Sequence, residues 1–478
     1  MMAALALMTG ACSNDNELTP QQPDQTGGIP FIATISGNRS ATTRALTEDT
    51  ENEKIVATWT EGEQVALIYK VGNNTCNTTA TVEDVDEEGT ATISATLDAG
   101  TEEGTEVTII YPATAVDPET LEVRSDLLEG QDGTLANISK NLDLHTGKGN
   151  LSIDGIATLQ QSVKLDSHLA IFKLTLNKMT DKTHAGSNDF TSLVVSYDDA
   201  NGGYHVAASV NLPGNTNEFY VALEPATLPE YPMLWFEATT SAGKNYINHG
   251  TAKAVSLEKK YYHSTVSLAT VGDVVGANGK FYTDKNAALA DNNKAEAIIA
   301  YVGGVENYFS RFLAIAQDDV DAGYHTWYHA PTAVGTFAAN HPITLGKEFN
   351  TNAGGDSSYD QVANNSNTAS NTHTGAAPKG WRLPSVTDWR YIFQGMCKDA
   401  PSATNPVGIG NSAYYGYAKD LAEAINHSSE WDVEDDFYWT SSEYGNEATS
   451  AWCYEFNHSG MSKMSKSTGG FVRAVFAY

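Results

Sequence analysis

Short apolar runs, each closed by glycine or by acidic residues, recur through the first half of the chain and never lengthen into a helical period. They fall at 65–69, 107–111, 169–176, 219–223, 233–238 and 263–268. Their spacing is that of strands in a sandwich, with turns between them. The chain therefore reads as mostly β here, with two β modules, 29–150 and 151–270. The 169–176 run has the apolar content of a strand that is largely buried. The acidic stretch Glu83-Asp-Val-Asp-Glu-Glu88 reads as a solvated turn, since it lacks the glycine and final glutamate of a calcium loop.

Composition limits the partners. At roughly 150 residues per domain, 478 residues make about three domains, and each can bury a core. Lys and Arg number 28 against 59 Asp and Glu, a net charge of −31. A chain this acidic does not hold a polyanion by counterion release, so nucleic acid is excluded as a partner. Charge alone does not bind it to an anionic membrane surface either. Charged residues are only 18% and apolar ones 41%, which sets the chain apart from a disordered acidic tail. The cysteines are Cys12, Cys76, Cys397 and Cys453, none in a C-x-x-C pair, so neither a stapled scaffold nor a zinc site follows. Cys397 and Cys453 share one module and are a candidate disulfide or two buried thiols; Cys76 reads as a lone buried thiol. No apolar run reaches the roughly 18 residues of a spanning helix.

The first residues read as an address. Residues 1–11 are short and apolar and end Met8-Thr-Gly-Ala-Cys12, the small-residue pattern that a signal peptidase accepts. The stretch resembles a bacterial lipoprotein signal, which implies residues 1–12 as the signal and Cys12 as the lipidated residue. It departs from that pattern in lacking a basic start and in carrying Thr9 where leucine is usual. Residues 13–28, rich in Pro, Gln and Gly, read as a flexible tether. Beyond it, Ile29-Pro-Phe-Ile-Ala-Thr-Ile35 alternates well enough to fill a sheet edge.

Four phrases carry a resemblance when taken in order. They are Trp59-Thr-Glu-Gly-Glu-Gln-Val65, Gln131-Asp-Gly-Thr-Leu135, the 169–176 run, and Lys259-Lys-Tyr-Tyr-His263 before a final strand. Over residues 29–270 the chain resembles the fimbrillin-like (Mfa-like) lipoproteins of Bacteroidales. The resemblance implies two β-sandwich-like fimbrillin domains and a removable first strand, 29–44. It also implies cleavage after an arginine: Ser40-Ala-Thr-Thr-Arg44-Ala45 fits, with Arg44 cut and Ala45 the new N-terminus. The partners implied are other fimbrial subunits, joined by strand addition.

After residue 270 the composition shifts, and six of the eight tryptophans lie in 271–478. Ser385-x-x-Asp388 after Pro384 predicts a helix start, with Trp389, Ile392 and Phe393 on one face. Tyr414, Ala418, Leu421 and Ile425 predict a second helix. Short strands are expected at 437–440, 451–456 and 471–476. The phrases Gly380-Trp-Arg-Leu-Pro-Ser-Val-Thr-Asp-Trp389, Tyr438-Trp-Thr-Ser-Ser-Glu443, Ala451-Trp452 and Val472-Arg-Ala-Val475 together resemble C-type-lectin-fold modules of the Fibrobacter-major-paralogue type. That resemblance implies an α+β C-type-lectin-like domain with a glycan or protein ligand. The calcium triplets of sugar-binding lectins, Glu-Pro-Asn, Gln-Pro-Asp and Trp-Asn-Asp, do not occur in residues 271–478.

Trp381, Trp389, Trp439 and Arg473 read as buried framework, with Glu443 a partner for a backbone donor or for Arg473. Tyr414, Tyr415 and Tyr417 bracket a glycine, so some must be exposed; they are candidates for a sugar or peptide platform. Tyr444 and Asn446 read as part of a loop after a strand, 444–447, and binding residues collect in such loops. His325 and His329 are spaced i, i+4, but the segment reads as extended, so no metal is assigned. Catalytic motifs are absent: there is no H-E-x-x-H, G-x-S-x-G, Walker loop or Rossmann glycine set, and Asp435-Asp436 is not a glycosidase pair. The expectation is a non-enzymatic, cofactor-free fimbrial subunit, made as an outer-membrane lipoprotein precursor and exposed at the cell surface. Ala474-Val-Phe-Ala-Tyr478 reads as a closing strand, which makes this a strand-accepting tip adhesin. The alternative is a non-polymerising surface lipoprotein that binds polysaccharide.

Overall fold

Alternation builds the first sheet. In the strand Ile29–Gly37, Phe31, Ala33 and Ile35 are buried while Pro30, Ile32 and Thr34 face solvent, the period of two that a pleated strand imposes. The computed structural model describes residues 27–37, 46–49, 54–57, 59–87, 89–179, 189–199, 203–214, 216–229, 233–248, 251–252, 257–304, 311–320, 323–330, 333–334, 360–362, 371–373, 380–396, 437–444, 449–455 and 460–478. The chain forms two compact units. One holds Met1–Lys173, Phe219–Leu228 and Leu257–Ser264; the other holds Leu174–Glu218, Pro229–Ser256 and Thr265–Tyr478.

In the first unit the strands run in the order Val163–Ser167, Ile29–Gly37, Thr90–Leu97, Asn74–Val85, Gln64–Val71, Glu106–Tyr111, His145–Asp154, Ile156–Leu159. Two further pairings join the ends. Phe31 pairs with Ala157, and Val163–Ser167 pairs back onto His145–Asp154. The ladder therefore closes on itself, which removes free edges. Its interior is packed with Val65, Leu67, Val82, Ile93, Val107, Ile109, Leu151 and Leu165. Closure depends on Gly147: a side chain there would come within 2.6 Å of Leu165 and 2.7 Å of Val163. The sandwich expected for 29–150 is thus a closed sheet, because two return strands beyond residue 150 complete it. Position 150 itself falls inside His145–Asp154.

The runs read from the sequence lie in the strands Gln64–Val71, Glu106–Tyr111, Ala170–Lys178, Glu218–Leu223, Met233–Thr240 and Tyr261–Leu268. The acidic stretch differs from its reading. Glu83 and Asp84 belong to the strand Asn74–Val85, where Ser94 Oγ donates to Glu83 at 2.5 Å, and the turn proper begins at Asp86.

The second unit contains a sheet in the order Tyr204–Asn211, Phe190–Asp198, Met233–Thr240, Asn245–Ile247. A six-stranded sheet runs Phe281–Tyr282, Val274–Gly276, Ala295–Val302, Phe312–Ala316, Val475–Ala477, Gly380–Arg382. A third runs Asn371–His373, Asp360–Val362, Phe437–Tyr444, Ser450–Glu455, Gly460–Ser465. The helix Val386–Met396 buries Trp389, Ile392 and Phe393 as its sequence predicts. It lies so close to Ala295–Val302 that a Cβ on Gly395 would reach 1.9 Å from the Ala300 carbonyl oxygen. The expected strand at 471–476 is shorter, Val475–Ala477. Before it, Phe471 makes a single bridge to Tyr438, and Arg473 turns its side chain inward. Residues Trp327–His329 form a 3₁₀ turn where an extended segment was expected, because Trp327 swings into the core. The predicted helix at 414–425 lies outside the described residues. Among the described residues no helix is long and apolar enough to cross a membrane.

Candidate functional site

The first strand closes the first sheet from both sides. Against Thr90–Leu97 it is antiparallel through eight paired positions, Ile29↔Leu97 to Ser36↔Thr90. On the other side Ile35, Ser36 and Gly37 run parallel to Val163, Lys164 and Leu165. Phe31 and Ile35 are fully buried and Ala33 nearly so. The two large side chains together contribute roughly 3–6 kcal/mol by leaving water, against a typical total domain stability of about 5–15 kcal/mol. Taking the strand away would open the ring at one place. The groove left would be lined by Val65, Ile93, Leu97, Val163 and Leu165, with unpaired ladder groups along both walls. Such a groove can be refilled by a strand with the same alternation and by little else. Arg44 and Ala45, the proposed processing site, and Cys12, the proposed lipidation site, lie outside the described residues.

In the second unit the phrases singled out in the sequence converge. Trp381 pairs with Phe476 across Gly380–Arg382 and Val475–Ala477. Ser441 N–H donates to the Pro384 carbonyl at 2.9 Å, and Val386 N–H donates to Ser442 Oγ at 3.1 Å. Arg382 and Asp388, both fully buried, pair at 2.6 Å. Arg473 pairs with Asp319 at 2.6 Å and donates to the carbonyls of Ala316 and Gln317. Trp381, Trp389, Trp439 and Arg473 are framework, buried as their sequence context suggested.

The ligand candidates fare differently. Tyr414, Tyr415, Tyr417 and Asn446 lie outside the described residues. Tyr444 is the last residue of its strand and half-buried, its ring 4.7 Å from that of Trp452, with Lys463 Nζ 4.7 Å from its centroid. Its aromatic surface is therefore largely engaged within the protein. Cys76 is buried, and Cys453 is a buried thiol whose Sγ donates to the Ser462 carbonyl at 3.5 Å; Cys397 lies outside the described residues. Burial pushes the Cys453 thiol well up from its ordinary value, which suits a packing role. Among the described residues no cluster of His, Cys, Asp or Glu could hold a metal ion.

A buried ionic network had no signal in the sequence. Arg311 Nη1 donates to Asp198 Oδ1 at 3.0 Å and Nη2 to Ser196 Oγ at 3.1 Å. Tyr478 Oη donates to Asp198 Oδ2 at 2.5 Å. The guanidinium lies 4.7 Å from the Trp235 ring centroid and 4.8 Å from that of Tyr204. Burial pushes the Glu237 carboxyl and the Tyr478 hydroxyl up from their ordinary values. These residues are 280 positions apart at the extreme, so no local pattern joins them.

No family model matches the chain, and no curated protein matches it. Among solved structures, the chain is similar to a protein of Bacteroides uniformis named as a cell adhesion protein. The identity is 14% and the TM-score 0.30, over 52% of this chain and 94% of that one. A second, from Bacteroides fragilis and also named for cell adhesion, has 12% identity and a TM-score of 0.32 over 50% of this chain and 92% of its own. A fimbrilin of Porphyromonas gingivalis has 8% identity and a TM-score of 0.23 over 51% of this chain and 98% of its own.

Proposed function

We propose that the chain is a fimbrial subunit of the bacterial surface. It is assembled by strand addition into the groove that Ile29–Gly37 occupies, and it carries an adhesive, lectin-like module in its last 200 or so residues. The observation that carries this reading is the double role of the first strand: it supplies core side chains and closes the ring from both sides. Processing after Arg44 would remove it, and a partner subunit's strand would replace it. Lipidation at Cys12 would hold the precursor at the outer membrane until then, and the accepting groove suits a tip position.

The test uses the chain beginning at Ala45, made directly or by arginine-specific cleavage, with a synthetic peptide of residues Ile29–Gly37. The shortened chain is expected to bind a hydrophobic dye and to unfold at lower urea than the full chain. The peptide is expected to reverse both effects. A peptide carrying Phe31→Ala should bind about tenfold more weakly or worse, since burying Phe is worth roughly 1.5–3 kcal/mol. A shortened chain that keeps its midpoint and takes up no peptide would sink the proposal.

A second reading, a tethered polysaccharide binder that keeps its strand, has support in the same pairings, which hold Ile29–Gly37 on both sides. Mapping the mature N-terminus on cells separates the two. Ala45 as first residue favours assembly; a lipid on Cys12 with the strand intact favours the tethered binder.

A further inference from the structure

Residues 323–330 carry the two most exposed tyrosines among the described residues, Tyr324 at 62% and Tyr328 at 59%. The backbone beneath them is fixed. His325 N–H donates to the Gly470 carbonyl at 2.8 Å, and Gly470 N–H returns to His325 at 2.9 Å. Trp327 N–H donates to the Lys466 carbonyl at 3.0 Å, and its indole donates to the Thr440 carbonyl at 2.8 Å. The Trp439 indole donates to the His325 carbonyl at 2.7 Å. Shifting this segment would break all five bonds.

The rings are held as well. Tyr324 packs on Phe471 with centroids 4.5 Å apart. Tyr328 stands edge-on to Trp327 at 5.8 Å and 84°. The buried Lys466 places its Nζ 4.2 Å from the Trp327 centroid and 5.8 Å from that of Tyr328. Each tyrosine therefore has one side engaged by the protein and more than half its surface in water. The turn between Ser465 and Gly470 links them: Lys466 lies against Tyr328, and Gly469 lies against Tyr324. Ser465, Ser467 and Thr468 are exposed along it, with the two serine hydroxyls 2.9 Å apart.

We propose that Tyr324 and Tyr328, rimmed by the hydroxyls of Ser465, Ser467 and Thr468, form a stacking platform for a neutral pyranose chain. A pyranose ring offers an apolar C–H face to an aromatic ring and hydroxyls at its edge. Rigid aromatic faces beside small polar side chains match both, and little entropy is lost on binding because the rings are already fixed. The net charge of −31 works against a polyanionic glycan, and hence for a neutral one. This inference rests on reading the last part of the chain as a ligand-capturing module.

The experiment titrates the full chain with cellohexaose and with mannohexaose by calorimetry, for wild type, Tyr324→Ala, Tyr328→Ala and both tyrosines changed to Trp. Wild type is expected to bind at least one of them. Each alanine variant should bind about three- to tenfold more weakly, with an unchanged unfolding midpoint, and the tryptophan variant should keep its affinity. Sugar binding that the alanine variants retain overturns the platform and leaves the ligand-capturing reading standing. No binding by wild type to either sugar overturns the platform, and with it that reading for neutral glycans. Assembly by strand addition is tested separately and is untouched by either result.

Discussion

Asp273 is fully buried, and only one side of its carboxylate is answered. Thr270 N–H donates to Oδ2 at 2.8 Å, while Oδ1 has no hydrogen-bond partner among the described residues. Burial raises its pKa from 3.8 to about 6. The folded state therefore holds this proton more tightly than the unfolded state does. The stabilisation is complete below about pH 4, is lost as pH rises toward 6, and changes no further above that. The loss is about 3 kcal/mol. Asp273→Asn keeps an oxygen for Thr270 N–H and has no charge to bury. Urea midpoints measured at pH 4 and pH 7 should fall less in the variant than in wild type, and the variant should be the more stable at pH 7. Equal slopes in the two proteins would refute the assignment. In the sequence Asp273 is one acidic residue among 59; only folding takes it out of water.

At the scale of elements, the start of the helix Val386–Met396 was the most legible feature of the second unit. Asp388 N–H donates to Ser385 Oγ at 3.0 Å, and Ser385 N–H donates to Asp388 Oδ2 at 2.7 Å. This is the reciprocal cap that a serine followed three residues later by an acid can make. Its other role was not legible. Asp388 also neutralises Arg382, and both are fully buried. Asp388→Ala should then cost about 3–5 kcal/mol, because it strands a buried cation as well as uncapping the helix. Ser385→Ala, which removes the cap hydroxyl and leaves the ion pair, should cost about 1 kcal/mol. Chemical unfolding of the two variants decides the matter; equal, small losses would mean that the ion pair contributes nothing. The strands were legible as apolar runs, since a pleated segment needs few residues and shows its period locally. The 471–476 run was over-read, because inward-facing Arg473 and the single bridge at Phe471 break the ladder that the apolar residues imply.

For the whole molecule, the charge of −31 makes a claim that no single contact makes. Like charges spread over a folded surface repel, and that repulsion is screened as the Debye length falls from about 10 Å at 0.1 M salt to about 3 Å at 1 M. Adding sodium chloride over that range should raise the urea midpoint. A midpoint that stays level or falls would show that local pairs such as Lys148–Glu106 outweigh the general repulsion.

The chain order of apolar runs, turn residues and the Ser385 cap already determined a mostly β protein with at least one capped helix, because each of those signals acts over a few residues. The alternation of 29–35 likewise marked a strand able to fill a sheet. Tertiary structure alone decided that this strand closes a ring, because closure depends on Val163–Ser167 folding back across Gly147, more than a hundred residues away. It alone brought Arg311 to Asp198 and Tyr478, and it alone left Tyr324 and Tyr328 in water while burying Trp327 between them. Exposure and long-range pairing are properties of the packed chain, and neither is written in the spacing of residues along it.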